Sequence, residues 1–390
     1  VDVVDIVLGI LLLAAAVQGL RLGALVLLLT FGGFCLGFVL GALLSLAVVG
    51  GAHSPTVRTV VTLSVTVGLA LSLGLAGRVV GSWSNAALRR HHLGSVDAVL
   101  GVGVALVAVL LTAWLVASII SASRYQSLNA AVQRSDILRS VDQVLPPIPS
   151  FLAHVQALLG EQNFPPAFVA LAPPTAGSVA VPTEAQARAL ADPAIFSTVK
   201  VVGVACGYRQ EGSGFVVAPG LVATNAHVVA GEPATEILAG GVASGATVVA
   251  YDPEFDLALL HTGAHLGPPL ALDPADVARG AEGAVLGYPE DGPLTVGPAG
   301  VTADLQAEGR DIYNDNLVTR DVYEIEADVR PGNSGGPLVS GNGQVIGMVF
   351  SRSTTQDGVG YALASPGVLS RVHQALGRTA AVSTGACVAS

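Results

Sequence analysis

The sequence predicts a chain in two parts, an α-helical membrane part of four spans followed by an all-β part. Three observations predict it. Four apolar runs long enough to cross a bilayer occur before residue 125. After Ile195 the chain breaks into short Val-, Ile- and Leu-rich runs cut by Gly and Pro. Charge also changes abruptly between the two: residues 1–182 carry eight Lys/Arg against six Asp/Glu, and residues 183–390 carry ten against twenty-two. With 52% hydrophobic and only 12% charged residues over 390 positions, the chain is too long for one ordinary domain and too poor in charge to be soluble throughout.

The expected spans are 3–20, 22–49, 59–76 and 95–120, within a membrane domain over residues 1–121. The first run lacks the basic start of a cleaved signal peptide and is followed at once by a second, so it is expected to be retained. Arg21 falls between the first two runs, and Arg78, Arg89 and Arg90 between the last two. The positive-inside rule puts those loops in the cytoplasm and everything after the fourth run outside, although Arg58 and Arg124 fall on the outer side. Glycines in "FGGFCLGFVLG" permit close helix packing, and Asp5 and Asp97, near span ends, are expected to be solvated.

Residues 122–182 read as a connector. "LNAAVQRSDILRSVDQVL" and "SFLAHVQALLG" have helical spacing, and "FPPAFVALAPPTAGSVAVPT" reads as an extended tether, either a passive spacer or a site of self-cleavage.

In the part from residue 183 to 390, the strand runs suit an all-β sandwich or a pair of barrels. The acidic balance repels phosphate backbones and no basic stripe with interleaved aromatics occurs, so nucleic acid is not an expected partner. No cofactor or metal is implied. Cys206 and Cys387 lie near the two ends of this part; either they pair, closing a loop worth on the order of 5 kcal/mol and implying an oxidising compartment, or they are two buried thiols.

In "RPGNSGGPLV" glycines flank Ser334 and let backbone N–H groups approach whatever the serine touches. His227 in "TNAHVVAG" directly follows an apolar strand run, and Asp256 in "YDPEFDLALL" directly precedes one. A serine hydroxyl is a poor nucleophile until an imidazole takes its proton, and the imidazole works best when a carboxylate fixes its tautomer. Singly, each residue has a plain structural reading, as a core histidine, a turn aspartate and a turn hydroxyl. Their joint occurrence in an all-β part points to nucleophilic hydrolysis.

"TNAHVV", "DLALL" and "GNSGGPL" resemble the motifs of trypsin-like serine peptidases, most closely the HtrA-type branch, over about residues 195–375. The resemblance implies a chymotrypsin-like double β-barrel, with His227 as general base, Asp256 as its orienter and Ser334 as nucleophile. It also implies an oxyanion hole from the N–H groups of Gly332 and Ser334. Asn333 stands where digestive relatives carry aspartate, so activation by a freed N-terminus is not expected. The chain after Ser334 is too short for the PDZ module usual in the HtrA branch. Asp328, six residues before the serine, matches the base of the primary (S1) pocket, unless it lies outward or against Arg330.

The membrane part resembles the CvpA (colicin V production) family through its four spans and the opening "DIVLGILLLAAAVQGLRLG". Together the parts resemble the membrane-anchored acid-resistance serine proteases of mycobacteria. That resemblance implies a periplasmic endopeptidase of the inner membrane acting on cell-envelope proteins such as peptidoglycan hydrolases, supporting survival under acid and oxidative stress, with a Cys206–Cys387 bridge holding the active form. Two other readings are a transport or scaffold protein whose β-domain only binds peptides, and a peptidase regulated by its spans. Acid poses a difficulty for catalysis, because a protonated His227 cannot act as base.

Overall fold

The computed structural model describes residues 2–49, 55–90, 94–121, 126–145, 167–168, 176–205, 207–353 and 356–388. The chain forms two compact units, one of Val1–Ala117 with Arg134–Leu145 and the other of Ser118–Gln133 with Pro146–Ser390.

The first unit is helical: α1 (Val3–Leu22), α2 (Ala24–Val49), α3 (Pro55–Arg90), α4 (Gly94–Ser121) and, after α5 (Gln126–Arg134), the short α6 (Asp136–Asp142). Each of α1 to α4 contains a window long and apolar enough to span a membrane, and only 22% of that window in α1, α2 and α3 and 17% in α4 is buried within the protein. The outward side chains, such as Ile10, Leu13, Leu71 and Val99, need lipid around them. The α3 helix is longer than the expected span. Arg78, Arg89 and Arg90 lie within it rather than in a loop, because "GRVVGSWSNAALRR" holds no helix breaker beyond tolerated glycine.

Small residues set the contact between α2 and α3. A Cβ on Gly33, Gly37 or Gly41 would lie 2.3, 2.4 and 2.6 Å from atoms of the α3 backbone, so this four-residue stripe lets the helices touch main chain to main chain. Asp5 and Asp97 are buried rather than solvated. Asp97 accepts from Leu25 N at 3.1 Å, taking an orphan donor at the start of α2. Asp5 accepts from Ser135 Oγ at 2.6 Å and Ile137 N at 3.3 Å, so it caps α6 together with Ser135. These bonds, with Trp114 Nε1 donating to Asp142 at 2.8 Å, draw residues 134–145 into the helical unit instead of the connector.

The second unit contains two closed six-stranded antiparallel barrels. The first is built from β1 (Thr198–Ala205), β2 (Tyr208–Ala218), β3 (Leu221–Thr224), β4 (Thr235–Ala239), β5 (Val242–Asp252) and β6 (Leu257–His261), in the order β1-β2-β3-β6-β5-β4. The second is built from β7 (Glu282–Gly287), β8 (Thr295–Arg310), β9 (Leu317–Glu326), β10 (Pro337–Ser340), β11 (Val345–Arg352) and β12 (Val359–Ala364), in the order β10-β11-β12-β9-β8-β7. Helix α7 (Glu184–Ile195) precedes the first barrel, the single turn α8 (Ala226–Val229) follows β3, and α9 (Ser365–Ala375) follows β12. Closure removes sheet edges, and the two-residue period of a strand then supplies two surfaces. In β6, Ala258 and Leu260 fill the first barrel while Leu257 and Leu259 face a shared core. That shared core adds Phe215, Leu286, Met348 and Phe350, and is covered by Ala187 and Ala191 of α7 and Val368 and Val372 of α9.

The described part of the connector is docked, not free. Ala176 N donates to Glu324 at 2.8 Å and Val179 N to Glu326 at 3.0 Å, while the Phe168 ring meets Tyr361 edge-on at 5.3 Å. "SFLAHVQALLG" lies outside the described residues.

Candidate active site

The β3 strand ends at Thr224, and Asn225 turns the chain into α8, which carries His227. The turn is fixed from within: Asn225 Nδ2 donates to the Asp256 carbonyl at 2.8 Å. Asp256 sits just before β6 at φ +67°, a left-handed conformation that aspartate tolerates better than most residues. It is completely buried. A buried carboxylate must be paired, and here two donors of one residue pair it. His227 N donates to Asp256 Oδ1 at 3.0 Å, and His227 Nδ1 lies 3.0 and 2.8 Å from the two carboxylate oxygens. An ionised carboxylate only accepts, so Nδ1 carries the proton and Nε2 presents a lone pair.

Ser334 lies on the loop before β10, between Gly332 at φ +94° and Gly335 at φ +82°. The loop uses its N–H groups selectively. Asn333 N donates to Arg330 O at 3.0 Å, Gly335 N to Val349 O at 2.8 Å and Gly336 N to Asn333 O at 2.9 Å. The N–H groups of Gly332 and Ser334 have no acceptor among the described residues. A Cβ on Gly335 would lie 3.1 Å from Asn225 N, so the serine turn rests against the segment that presents His227. Both Ser334 Oγ and His227 Nε2 are buried and have no hydrogen-bond partner among the described residues.

Residues 212–348 match the family model for the trypsin-like peptidase domain, and residues 4–146 match that for the colicin V production protein. Over 385 residues, 96% of this chain and 96% of the relative, the chain is 38% identical to serine protease Rv3671c of Mycobacterium tuberculosis. The chain belongs to the Rv3671c family of trypsin-like serine proteases. The crystal structure of the Rv3671c protease in its active form, from M. tuberculosis, is 40% identical, with a TM-score of 0.54 over 56% of this chain and 97% of that one. Serine protease HTRA1B of Danio rerio is 34% identical over 179 residues, 44% of this chain and 37% of the relative.

Membership of the Rv3671c family makes the protein a trypsin-like serine protease with a multi-pass membrane domain, and the double barrel is the expected fold. Of the placements expected for Asp328, the structure has the one outward and against Arg330. The Asp328 side chain is 68% exposed and is clamped by Arg330, whose Nη2 donates to it at 2.6 Å. An arginine two residues away gives this carboxylate a partner at the surface, so it has no cause to turn inward. Of the three cysteines, Cys387 is disulfide-bonded and Cys35 is a free thiol, while Cys206 lies outside the described residues.

Ser213 escaped the sequence reading. Its Oγ donates to Gly332 O at 2.7 Å and accepts from Tyr288 N at 2.9 Å, while its N–H donates to Ser334 O at 2.7 Å. This one residue of the first barrel therefore grips the serine loop of the second at two points. The signal was present in "GSGF", another serine between glycines: a Cβ on Gly212 would lie 3.1 Å from Ser334 O.

Beyond the histidine, Glu232 is buried with its Oε2 accepting from Thr235 Oγ1 at 2.6 Å, and burial pushes its carboxyl up to about 7. The C-terminal tail covers this segment: Gly231 N donates to Thr384 O at 3.0 Å and Thr384 Oγ1 to Glu232 O at 3.0 Å.

Proposed function

We propose that the protein is a membrane-anchored endopeptidase whose nucleophile is Ser334, with His227 as general base, Asp256 as its orienter and the N–H groups of Gly332 and Ser334 as oxyanion hole. The observation that carries this reading is the selective use of donors around Ser334: over residues 332–336 the N–H groups of Asn333, Gly335 and Gly336 are bonded, and the two left over are those the chemistry needs.

In the reaction, Ser334 Oγ attacks the scissile carbonyl carbon while its proton passes to His227 Nε2. The carbonyl oxygen takes the negative charge and receives hydrogen bonds from the two free N–H groups. Collapse breaks the C–N bond, His227 returns the proton to the leaving amine, and an acyl-serine remains. Water, deprotonated by His227, then releases the acid and restores the serine. Asp256 faces the imidazolium formed on the way and stabilises it without taking the proton.

The β-domain faces the periplasm in this reading, because the positive-inside rule puts the ends that carry Arg21, Arg89 and Arg90 in the cytoplasm, against Arg58 and Arg124 on the other side. Its substrates are cell-envelope proteins, peptidoglycan hydrolases among them, and its role is resistance to acid and oxidative stress. A Cys206–Cys387 bridge fits this placement. The Cys387 Sγ lies 2.8 Å from where a Cβ on Gly231 would be, so the bridge would bind the tail to the segment that follows His227.

Fluorophosphonate labelling of the full chain in detergent, oxidised and reduced, tests the reading. Labelling that disappears in Ser334→Ala and falls on reduction supports both the nucleophile and the bridge. A chain unlabelled in either state overturns it and returns the β-domain to a peptide-binding scaffold.

A further inference from the structure

Lys200 is the single lysine of the chain, and it lies on β1 with its side chain only 8% exposed. A buried ammonium is unfavourable unless well paired. Its main partner, Asp291, follows β7 of the second barrel: Nζ donates to Asp291 O at 2.8 Å and makes an ion pair with the Asp291 carboxylate, while β2 of the first barrel completes the cluster with Glu211 Oε2 at 4.0 Å from Nζ and the Arg209 guanidinium at 3.4 Å from Asp291. Lys200 pulls the Asp291 carboxyl below its ordinary range, so the carboxylate is ionised where the pair must form.

Asp291 ends the turn Pro289–Asp291, in which two consecutive residues other than glycine are left-handed, Glu290 at φ 54° and Asp291 at φ 58°. Such a pair persists only when surrounding contacts impose it. In this conformation Glu290 N donates to Pro331 O at 2.8 Å, and the Tyr288 carbonyl lies 2.3 Å from where a Cβ on Gly332 would be. The carbonyl of Pro331 and the N–H of Gly332 belong to one planar trans peptide, so fixing the oxygen aims the hydrogen the opposite way.

We propose that Lys200 is a positioning residue for the Gly332 N–H: by holding Asp291 it keeps the 289–291 turn left-handed, and Glu290 N then fixes the peptide that presents the oxyanion donor. Ser213, on the next carbonyl, secures the far side of the same glycine. Both restraints come from or through the first barrel, which also carries His227, so base and oxyanion hole are set from one scaffold. This proposal rests on the oxyanion role given above to Gly332.

The test is the kinetics of fluorophosphonate labelling by the full chain in detergent, resolved into the maximal rate and the probe concentration at half-maximal rate. Asp291→Asn is the main variant, since its carboxylate is 49% exposed and the change is nearly isosteric. The expected result is a fall of about 10- to 100-fold in maximal rate, against about 100- to 1,000-fold for outright loss of an oxyanion donor, with the half-saturating concentration changed by less than about 3-fold. Lys200→Met gives the same fall, Lys200→Arg recovers most of it, and the double variant is no worse than either single one. The clamp is overturned if Asp291→Asn labels within about 2-fold of wild type, if the loss lies in probe binding instead of rate, or if the two single losses multiply. Should Lys200→Met fail to fold, Asp291→Asn and Lys200→Arg decide alone. Wild-type chain that is not labelled at Ser334 at all overturns the underlying reading, a result distinct from each of these.

Discussion

Asp256 binds His227 through the ring and the main chain at once, with Nδ1 at 2.8 Å from one carboxylate oxygen and the backbone N at 3.0 Å from the other. The two bonds fix both the tautomer and the angle at which Nε2 leaves the pair. In Asp256→Asn the amide NH2 would face Nδ1 and favour the wrong tautomer. We expect labelling of Ser334 to slow by about 10⁴-fold while the fold survives, since the amide is isosteric. Labelling rates at neutral pH together with circular dichroism check this; a loss below about 10-fold would remove Asp256 from the role assigned to it.

Gly332 cannot carry a side chain. It is at φ +94°, and a Cβ would meet the Tyr288 carbonyl at 2.3 Å. Gly332→Ala therefore turns the 331–332 peptide and is expected to cost about 10²- to 10³-fold in labelling rate. Gly341→Ala is the matched control, because its Cβ would find Leu190 at an ordinary 3.7 Å and its φ is not left-handed.

Glu232 gives the protease domain a stability that grows in acid. Its carboxyl rises from an ordinary 4.5 to about 7 because burial disfavours the charge. The folded state then binds the proton more tightly than the unfolded chain does, so the contribution is complete below pH 4.5 and is lost as pH rises through about 7. Glu232→Gln keeps an acceptor for Thr235 without the charge. It is expected to gain about 1–3 kcal/mol over wild type at pH 8 and nothing at pH 4. Denaturant unfolding at the two pH values reads the difference, and an equal gain at both would mean that the effect is not protonation.

The α2–α3 contact is predicted to tolerate no bulk on the glycine stripe. Gly37→Leu places a side chain where a Cβ alone would already lie 2.4 Å from Leu69 O, and about 1–3 kcal/mol of destabilisation in detergent follows from overpacking. At Gly32, one helix face away, an added Cβ would meet nothing within 4 Å, and Gly32→Leu is expected to be neutral. Thermal unfolding of the two variants in one detergent separates packing from a general effect of leucine on the helix.

How much could be read in advance depended on whether the signal was local. The four spans declare themselves by composition, because lipid demands an unbroken apolar run. The strands declare themselves by β-branched runs and turn residues, and the three catalytic candidates by short motifs at strand ends. Helix ends were less legible: α3 runs on to Arg90 because nothing in that stretch stops it, and a charge count does not mark a helix end. Asp5 and Asp97 were legible as acidic residues near span ends, but their capping partners lie 130 and 72 positions away.

The sequence by itself determined the two-part architecture, the all-β character of the second part, and His227, Asp256 and Ser334 as its candidate chemistry. Only the tertiary structure decided which of the surrounding groups stay free. Asp328 faces out because Arg330 offers it a partner at the surface. Ser213 holds the serine loop because closure of the first barrel brings position 213 against positions 332 and 334. Lys200 reaches Asp291, 91 residues on, because the two barrels meet there. Periodicity and composition record what each residue asks of its neighbours in sequence. Hydrogen-bond accounting between barrels is settled only when closure has fixed which atoms meet.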